Sequence, residues 1–236
     1  MAKRGHTTYM TAGEQIAGTV FFVIYLLVLP FAAGPMFRLA AELLGTHIDP
    51  GFQNALYYYI LFAVTLIIFH GFLGRTSRKL ADNLGLACKT LVVGLIALYG
   101  LNELVYRLTR LVSAAQTNLN DVSISAQIDD APHMTVLIVV FLAPFVEEML
   151  FRGLVFGNLK DKSRTVAYLV SCLLFALLHV WQFAVVNRDL TYFLLMVQYL
   201  VPGLVLAWVY DHSGTLWTSI GLHAAANALS AWVLLG

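Results

Sequence analysis

Seven long apolar runs follow one another along the chain, at roughly 16–37, 54–73, 87–108, 134–156, 165–186, 191–210 and 215–235. Short polar segments separate them. A helix needs about 20 mostly apolar residues to cross the hydrocarbon core of a bilayer, and each run approaches or exceeds that length. The pattern predicts an all-α, polytopic transmembrane helical bundle of about seven spans, forming a single integral membrane domain over residues 1–236. Pro30 and Pro35 fall near the far end of the first run, where a membrane helix tolerates them. Lys3 and Arg4 precede that run in the manner of a signal peptide. It exceeds 20 residues and has no clear small-residue cleavage site, so a retained helix is expected.

Composition agrees with this reading. Hydrophobic residues make up 60% of the chain and charged ones 11%, and the mean hydropathy is +0.79, far from the balance of a soluble domain. The net charge of +1 points to no polyanionic partner, and no nucleic acid is expected. The few cations are unevenly placed, and cytoplasmic loops favour Lys and Arg. A cytoplasmic N-terminus puts Lys3, Arg4, Arg75, Arg78, Lys79, Lys89, Lys160, Lys162 and Arg164 inside, against Arg38, Arg107, Arg110 and Arg188 outside. The expected topology is therefore N-in, C-out. Residues 113–133, with Asp121, Asp129 and Asp130, form the longest loop, outside. Cys88 and Cys172 lack CxxC spacing, so no disulfide framework is expected. The absence of a Gly-rich phosphate loop argues against a nucleotide enzyme.

The fourth run departs from the apolar pattern. In FLAPFVEEMLFRGLVF, Glu147, Glu148 and Arg152 stand where an ionisable side chain costs about 2.5 to 3.5 kcal/mol on insertion scales, so they should face protein or a cavity. Glu148 and Arg152, four apart, share a helix face and should neutralise each other. Glu147 points about 100° away and is left for a cavity. Pro144, just before them, removes a backbone donor and should free a carbonyl near that cavity. By themselves the three charges could simply pin helices together.

Two further runs carry polar pairs at the same spacing: Phe175 with His179 in the fifth, and His223 with Asn227 in the seventh. Counted from the inner ends of their spans at 1.5 Å per residue, Glu147, His179 and His223 lie about 14, 21 and 12 Å deep. A shared site at mid-depth, biased toward the cytoplasm, is compatible with these levels. A carboxylate, two imidazoles and a carboxamide make a hydrolytic set: Glu as general base, His and Asn as polarising donors. The same Glu147, His179 and His223 could instead hold a divalent metal such as zinc with a position open for water. HExxH is absent, so three separate helices would have to assemble such a site. A proton carrier also uses Glu and His, but would need a ladder of groups across the membrane.

The three elements, Glu147-Glu148-x-x-x-Arg152, Phe175-x-x-x-His179 and His223-x-x-x-Asn227, in this order on separate apolar segments, resemble the CPBP family of intramembrane proteases. That family includes type II CAAX prenyl endopeptidases and bacteriocin self-immunity-like (Abi domain) proteins. The resemblance covers about the last hundred residues, with 134–236 as the catalytic core. It implies a polar catalytic cavity in the membrane, reached from the cytoplasm or laterally from lipid. It also implies an endopeptidase in which Glu147 and His179 activate water, His223 and Asn227 stabilise the oxyanion, and Arg152 braces Glu147 and Glu148. The family is also described as metalloprotease, which leaves metal or water alone open. The expected partners are membrane lipid and a membrane-associated, lipid-modified or precursor peptide or protein. The short chain resembles a prokaryotic member, in a cell membrane. The competing expectation is a non-catalytic scaffold or bacteriocin-immunity protein that binds a peptide. Elsewhere Glu103 and Arg107 read as a snorkelling pair, His70 as a helix-end residue, the Arg75–Lys79 cations as a topology signal, and Trp181, Trp208, Trp217 and Trp232 as interfacial anchors.

Overall fold

The structure, a computed structural model, describes residues 10–112 and 119–235, without the side chains of 108–121. Of the charges used above, Lys3 and Arg4 lie outside the described residues, and so do the side chains of Arg110 and Asp121. Every regular element among those described is helical. Six helices are long and apolar enough to span: Ala12–Leu43, Pro50–Asp82, Leu84–Arg107, Pro132–Leu159, Leu190–Ser213 and Leu216–Leu235. The remaining run is a pair, Arg164–Leu178 and Trp181–Asn187, which meet at 42°. Taken as one broken span it is the fifth, and the bundle has the seven runs expected. The protein is an integral membrane protein.

The fourth span is the axis of the bundle. Its most apolar window is 78% buried, against 22–33% for the other five unbroken spans. Between Ile138 and Leu154 only Phe141 is exposed, so protein, and not lipid, surrounds its charged residues. Two stretches of this helix, Ile138–Leu142 and Met149–Phe156, are wound wider, with i to i+5 hydrogen bonding. Such π segments recur at functional sites because they rotate side chains out of the regular register. The first span holds another, at Ile24–Val28.

Residues 113–133 differ from the expected loop in their described part. Leu119–Asp130 is a helix, and Pro132, at the first turn of the next, starts the fourth span with His133 inside it. Ile128 is buried, and Ile124 packs against the cluster of Ala55, Ile138 and Val139. Few residues of this helix are apolar, so it connects spans and does not cross. His70 also departs from expectation. It lies within Pro50–Asp82, exposed, with Nδ1 3.0 Å from the Ile67 carbonyl, well away from a helix end.

The basic end of the bundle is closed by polar clamps. Thr76 Oγ1 accepts from the Leu216 amide at 2.9 Å, and Thr215 Oγ1 donates to the Thr76 carbonyl at 3.0 Å, tying the second span to the start of the seventh. Glu14 accepts from the backbone N–H groups of Thr11 and Phe72 and pairs with Arg75, so Arg75 does structural work beyond topology. Close packing depends on Gly94 of the third span, where a Cβ would meet Val209 Cγ2 at 2.5 Å and Leu222 Cδ2 at 2.9 Å. Overpacking of a fitted core costs about 1–3 kcal/mol. Gly94→Ala should therefore lower the melting temperature in detergent, and Gly94→Leu should lower it further.

Candidate active site

Arg152 has no exposed surface, nor has Glu148, and their ion pair closes at 2.8 Å between Nη1 and Oε1. The i, i+4 pairing expected from the spacing is present. Arg152 Nη2 donates to the Gly203 carbonyl of the sixth span at 3.0 Å, and the guanidinium lies 4.3 Å above the Phe175 ring. One side chain thus joins the fourth, fifth and sixth spans.

Glu148 Oε1 also meets His223 Nδ1 at 3.0 Å. With Arg152 beside it the carboxylate is the acceptor, so His223 carries its proton on Nδ1. In the neutral ring Nε2 then holds a lone pair. That atom lies 3.9 Å from Glu147 Oε2, beyond direct hydrogen-bond reach. Glu147 is 8% exposed, and its Oε2 is buried without a hydrogen-bond partner. Of the two glutamates, one is neutralised and the other is not.

His179 arises from a local break. Its amide and that of Val180 donate to carbonyls three residues back, Ala176 and Leu177, which tightens the end of Arg164–Leu178 and bends the fifth span there. His179 Nδ1 lies 2.8 Å from the Phe175 carbonyl, which can only accept, so the proton is again on Nδ1. The ring stacks on Tyr199 of the sixth span, with centroids 4.4 Å apart and planes at 22°. Tyr199 carries no motif, and its partnership with His179 had no signal in the sequence.

Asn227 depends on Pro144. In the wide winding over Ile138–Leu142 the Ala143 amide donates to the Ile138 carbonyl, five residues back. The next carbonyl, Val139, would be served in that register by residue 144, and proline has no N–H. Asn227 Nδ2 donates to the Val139 carbonyl at 2.7 Å. The carbonyl that Pro144 was expected to free is therefore taken by Asn227, which keeps one amide N–H for other work. Asn227→Ala strands that carbonyl and should cost about 1–3 kcal/mol. A Pro144→Ala, Asn227→Ala double variant returns a donor from residue 144. It should recover thermal stability, while any loss of activity from the missing Asn227 N–H should persist.

Glu147, His179, His223 and Asn227 line one cavity of about 670 Å³, within the range that buries a drug-sized ligand. Glu148 and Arg152 lie behind it. The cavity opens toward one end of the bundle. Its lining comes from Pro50 to Tyr58 of the second span, Ser123 to Gln127 of the connecting helix and Asn227 to Ser230 of the seventh span, the bundle half remote from Lys79 and Lys160. As metal ligands, a carboxylate and two imidazoles whose Nδ1 protons are engaged would be chemically apt. Among the described residues, however, no three His, Cys, Asp or Glu side chains converge closely enough to hold an ion.

Among the remaining residues, Glu103 and Arg107 form an exposed ion pair at 2.6 Å. Trp181 packs edge-on against Phe31, and Trp217 Nε1 donates to Ser77 Oγ at 2.8 Å. Cys88 and Cys172 are unpaired thiols.

Residues 130–229 match the family described as Type II CAAX prenyl endopeptidase Rce1-like. That interval contains all three motifs. The chain is also 33% identical over 86 residues to UPF0177 protein YxdF of Lactococcus lactis subsp. lactis (strain IL1403), a match covering 36% of this chain and 42% of the relative. No solved structure matches the chain.

Proposed function

We propose, from the match of residues 130–229 to the family described as Type II CAAX prenyl endopeptidase Rce1-like, that this protein is an intramembrane endopeptidase in which Glu147 activates water against a peptide carbonyl. The observation that carries the reading is the inequality of the two glutamates. Glu148 is held through Oε1 by Arg152 and His223 behind the cavity, whereas Glu147 approaches His223 only to 3.9 Å and stands on the cavity wall, although Oε2 is buried and unpartnered in both. A carboxylate held so, on the wall of a cavity, is available as a proton acceptor. The water oxygen adds to the carbonyl carbon while its proton passes to Glu147. Collapse of the tetrahedral intermediate then expels the amine, which takes that proton. His179 shares the activation of water. The free N–H of Asn227 would meet the oxyanion, and His223 would join it from Nε2 when that atom carries a proton. Arg152 touches no substrate and acts by holding Glu148, and through it His223.

If Glu147, His179 and His223 did close on zinc, the ion would supply Lewis-acid activation of water, and the two Nδ1 bonds would be its supporting shell. A chelator that abolishes cleavage, with recovery on adding zinc, would place the ion in the reaction. Indifference to a chelator shown to enter the cavity would leave Glu147 acting on water alone.

The substrate is a membrane-associated, precursor or lipid-modified polypeptide. Comparative proteomics of membranes holding the wild type or Glu147→Gln tests the assignment, through a fragment formed only with the former. Equal fragment patterns from the two, at equal protein levels, would favour a peptide-binding scaffold or immunity protein.

A further inference from the structure

The first two spans lie outside residues 130–229, yet both reach the catalytic cavity. Tyr25 of the first span and Tyr58 of the second stand on its wall with Glu147. Tyr25 belongs to the wide turn Ile24–Val28, after which the Leu29 amide donates to the Ile24 carbonyl. Around that turn Tyr25 and Leu26 are each only 6% exposed, whereas Val23, Ile24, Leu27 and Val28 are exposed. The one polar side chain of the segment is thus turned into the bundle. Tyr58 is buttressed by Tyr57, whose ring meets it edge-on with centroids 5.2 Å apart.

Neither hydroxyl takes part in the fold. No described residue hydrogen-bonds to Tyr25 or Tyr58, and unlike Glu147 Oε2 neither oxygen is closed off by its neighbours. A polar group set in an apolar bundle destabilises it unless something bonds to it, and here the bond is left for what enters the cavity. The Glu147 carboxylate is near enough for its charge to act on both hydroxyls. The motif residues, meanwhile, are short of donors. With His179 protonated on Nδ1 toward the Phe175 carbonyl and His223 on Nδ1 toward Glu148, Asn227 alone among them keeps a free N–H for an oxyanion. A phenol donates throughout the neutral range and needs no added proton to do so, as His223 Nε2 does. We propose that Tyr25 and Tyr58 are catalytic residues supplied by the first two spans: with Asn227, their hydroxyls donate to the carbonyl oxygen that Glu147-activated water attacks, and hold it as it becomes an oxyanion. The phenols keep their protons throughout, so the path of the water proton through Glu147 to the leaving amine is unchanged. This rests on the peptidase reading.

The test uses the full chain in membranes, with the Glu147-dependent fragment as its readout. Tyr25→Phe and Tyr58→Phe each remove a single oxygen and keep the ring. At equal protein levels, each should slow the appearance of the fragment by at least about 10-fold, and the double variant by at least about 100-fold, as loss of oxyanion donors does. Their melting temperatures in detergent should hold or rise, because no bond within the fold is lost. Tyr59→Phe, next in sequence but exposed, should form the fragment at the wild-type rate. Wild-type rates in both Tyr25→Phe and Tyr58→Phe, with Glu147→Gln inactive, would overturn this inference and leave the peptidase reading intact. A fall in melting temperature that accounts for the lost activity would overturn it too, since the hydroxyls would then belong to the fold. Equal fragment patterns from wild type and Glu147→Gln would instead defeat the peptidase reading, and this inference with it.

Discussion

Glu147→Gln should reduce cleavage by about 10²- to 10⁴-fold, the range associated with a positioned general base, without weakening the fold. The carboxylate oxygen that is lost has no hydrogen-bond partner, so nothing structural is given up. Glutamine is nearly the same shape and carries no charge to bury, and its amide could turn a donor toward the lone pair on His223 Nε2, now 3.9 Å from the carboxylate. The melting temperature in detergent should hold or rise as activity disappears. A variant with full activity would remove Glu147 from the chemistry. One that lost activity because it failed to fold would show that Glu147 braces the bundle.

Arg152→Ala should have the opposite character. Three attachments go at once: the ion pair to Glu148, the bond to the Gly203 carbonyl and the contact with the Phe175 face. Glu148 is left fully buried without its counter-charge, and breaking a buried pair from one side costs about 3–5 kcal/mol. That is a large share of the stability of a typical domain, so low expression and a lowered melting temperature are expected before any kinetic effect. Lysine should rescue in part, since it restores the charge but not the planar fork that reaches two acceptors. Adding Glu148→Gln to Arg152→Ala should recover some stability by removing the stranded charge, though His223 then loses its charged acceptor. Wild-type stability in the alanine variant would contradict the buried-pair account.

These two predictions rest on features of unequal legibility. The spans could be read because each crossing needs its own apolar run, and the Glu148–Arg152 pair because four residues bring two side chains to one helix face. Pro144 announced a freed carbonyl, but not which carbonyl or what would take it, since both depend on the π winding between Ile138 and Leu142. His223 read as a donor to substrate, whereas its Nδ1 is engaged by Glu148, a partner 75 residues away that no local period encodes. The break at His179 was hidden because no proline or glycine marks it. The helix Leu119–Asp130 was hidden because its described part is largely polar and is held by Ile124, Gln127 and Ile128. The end at which the cavity opens could not be counted from span limits, because it depends on which ends of the helices pack shut.

The tie between residues 139, 144 and 227 also constrains how such a chain can change over generations. While proline occupies position 144, loss of the Asn227 amide leaves a buried carbonyl with nothing to satisfy it. Once position 144 regains an N–H, the same loss is structurally mild. The two substitutions therefore have an order: the route through residue 144 first is shallow, and the route through residue 227 first crosses a valley. Among related sequences the two positions should vary together, with proline at the first seldom found without a side-chain donor at the second.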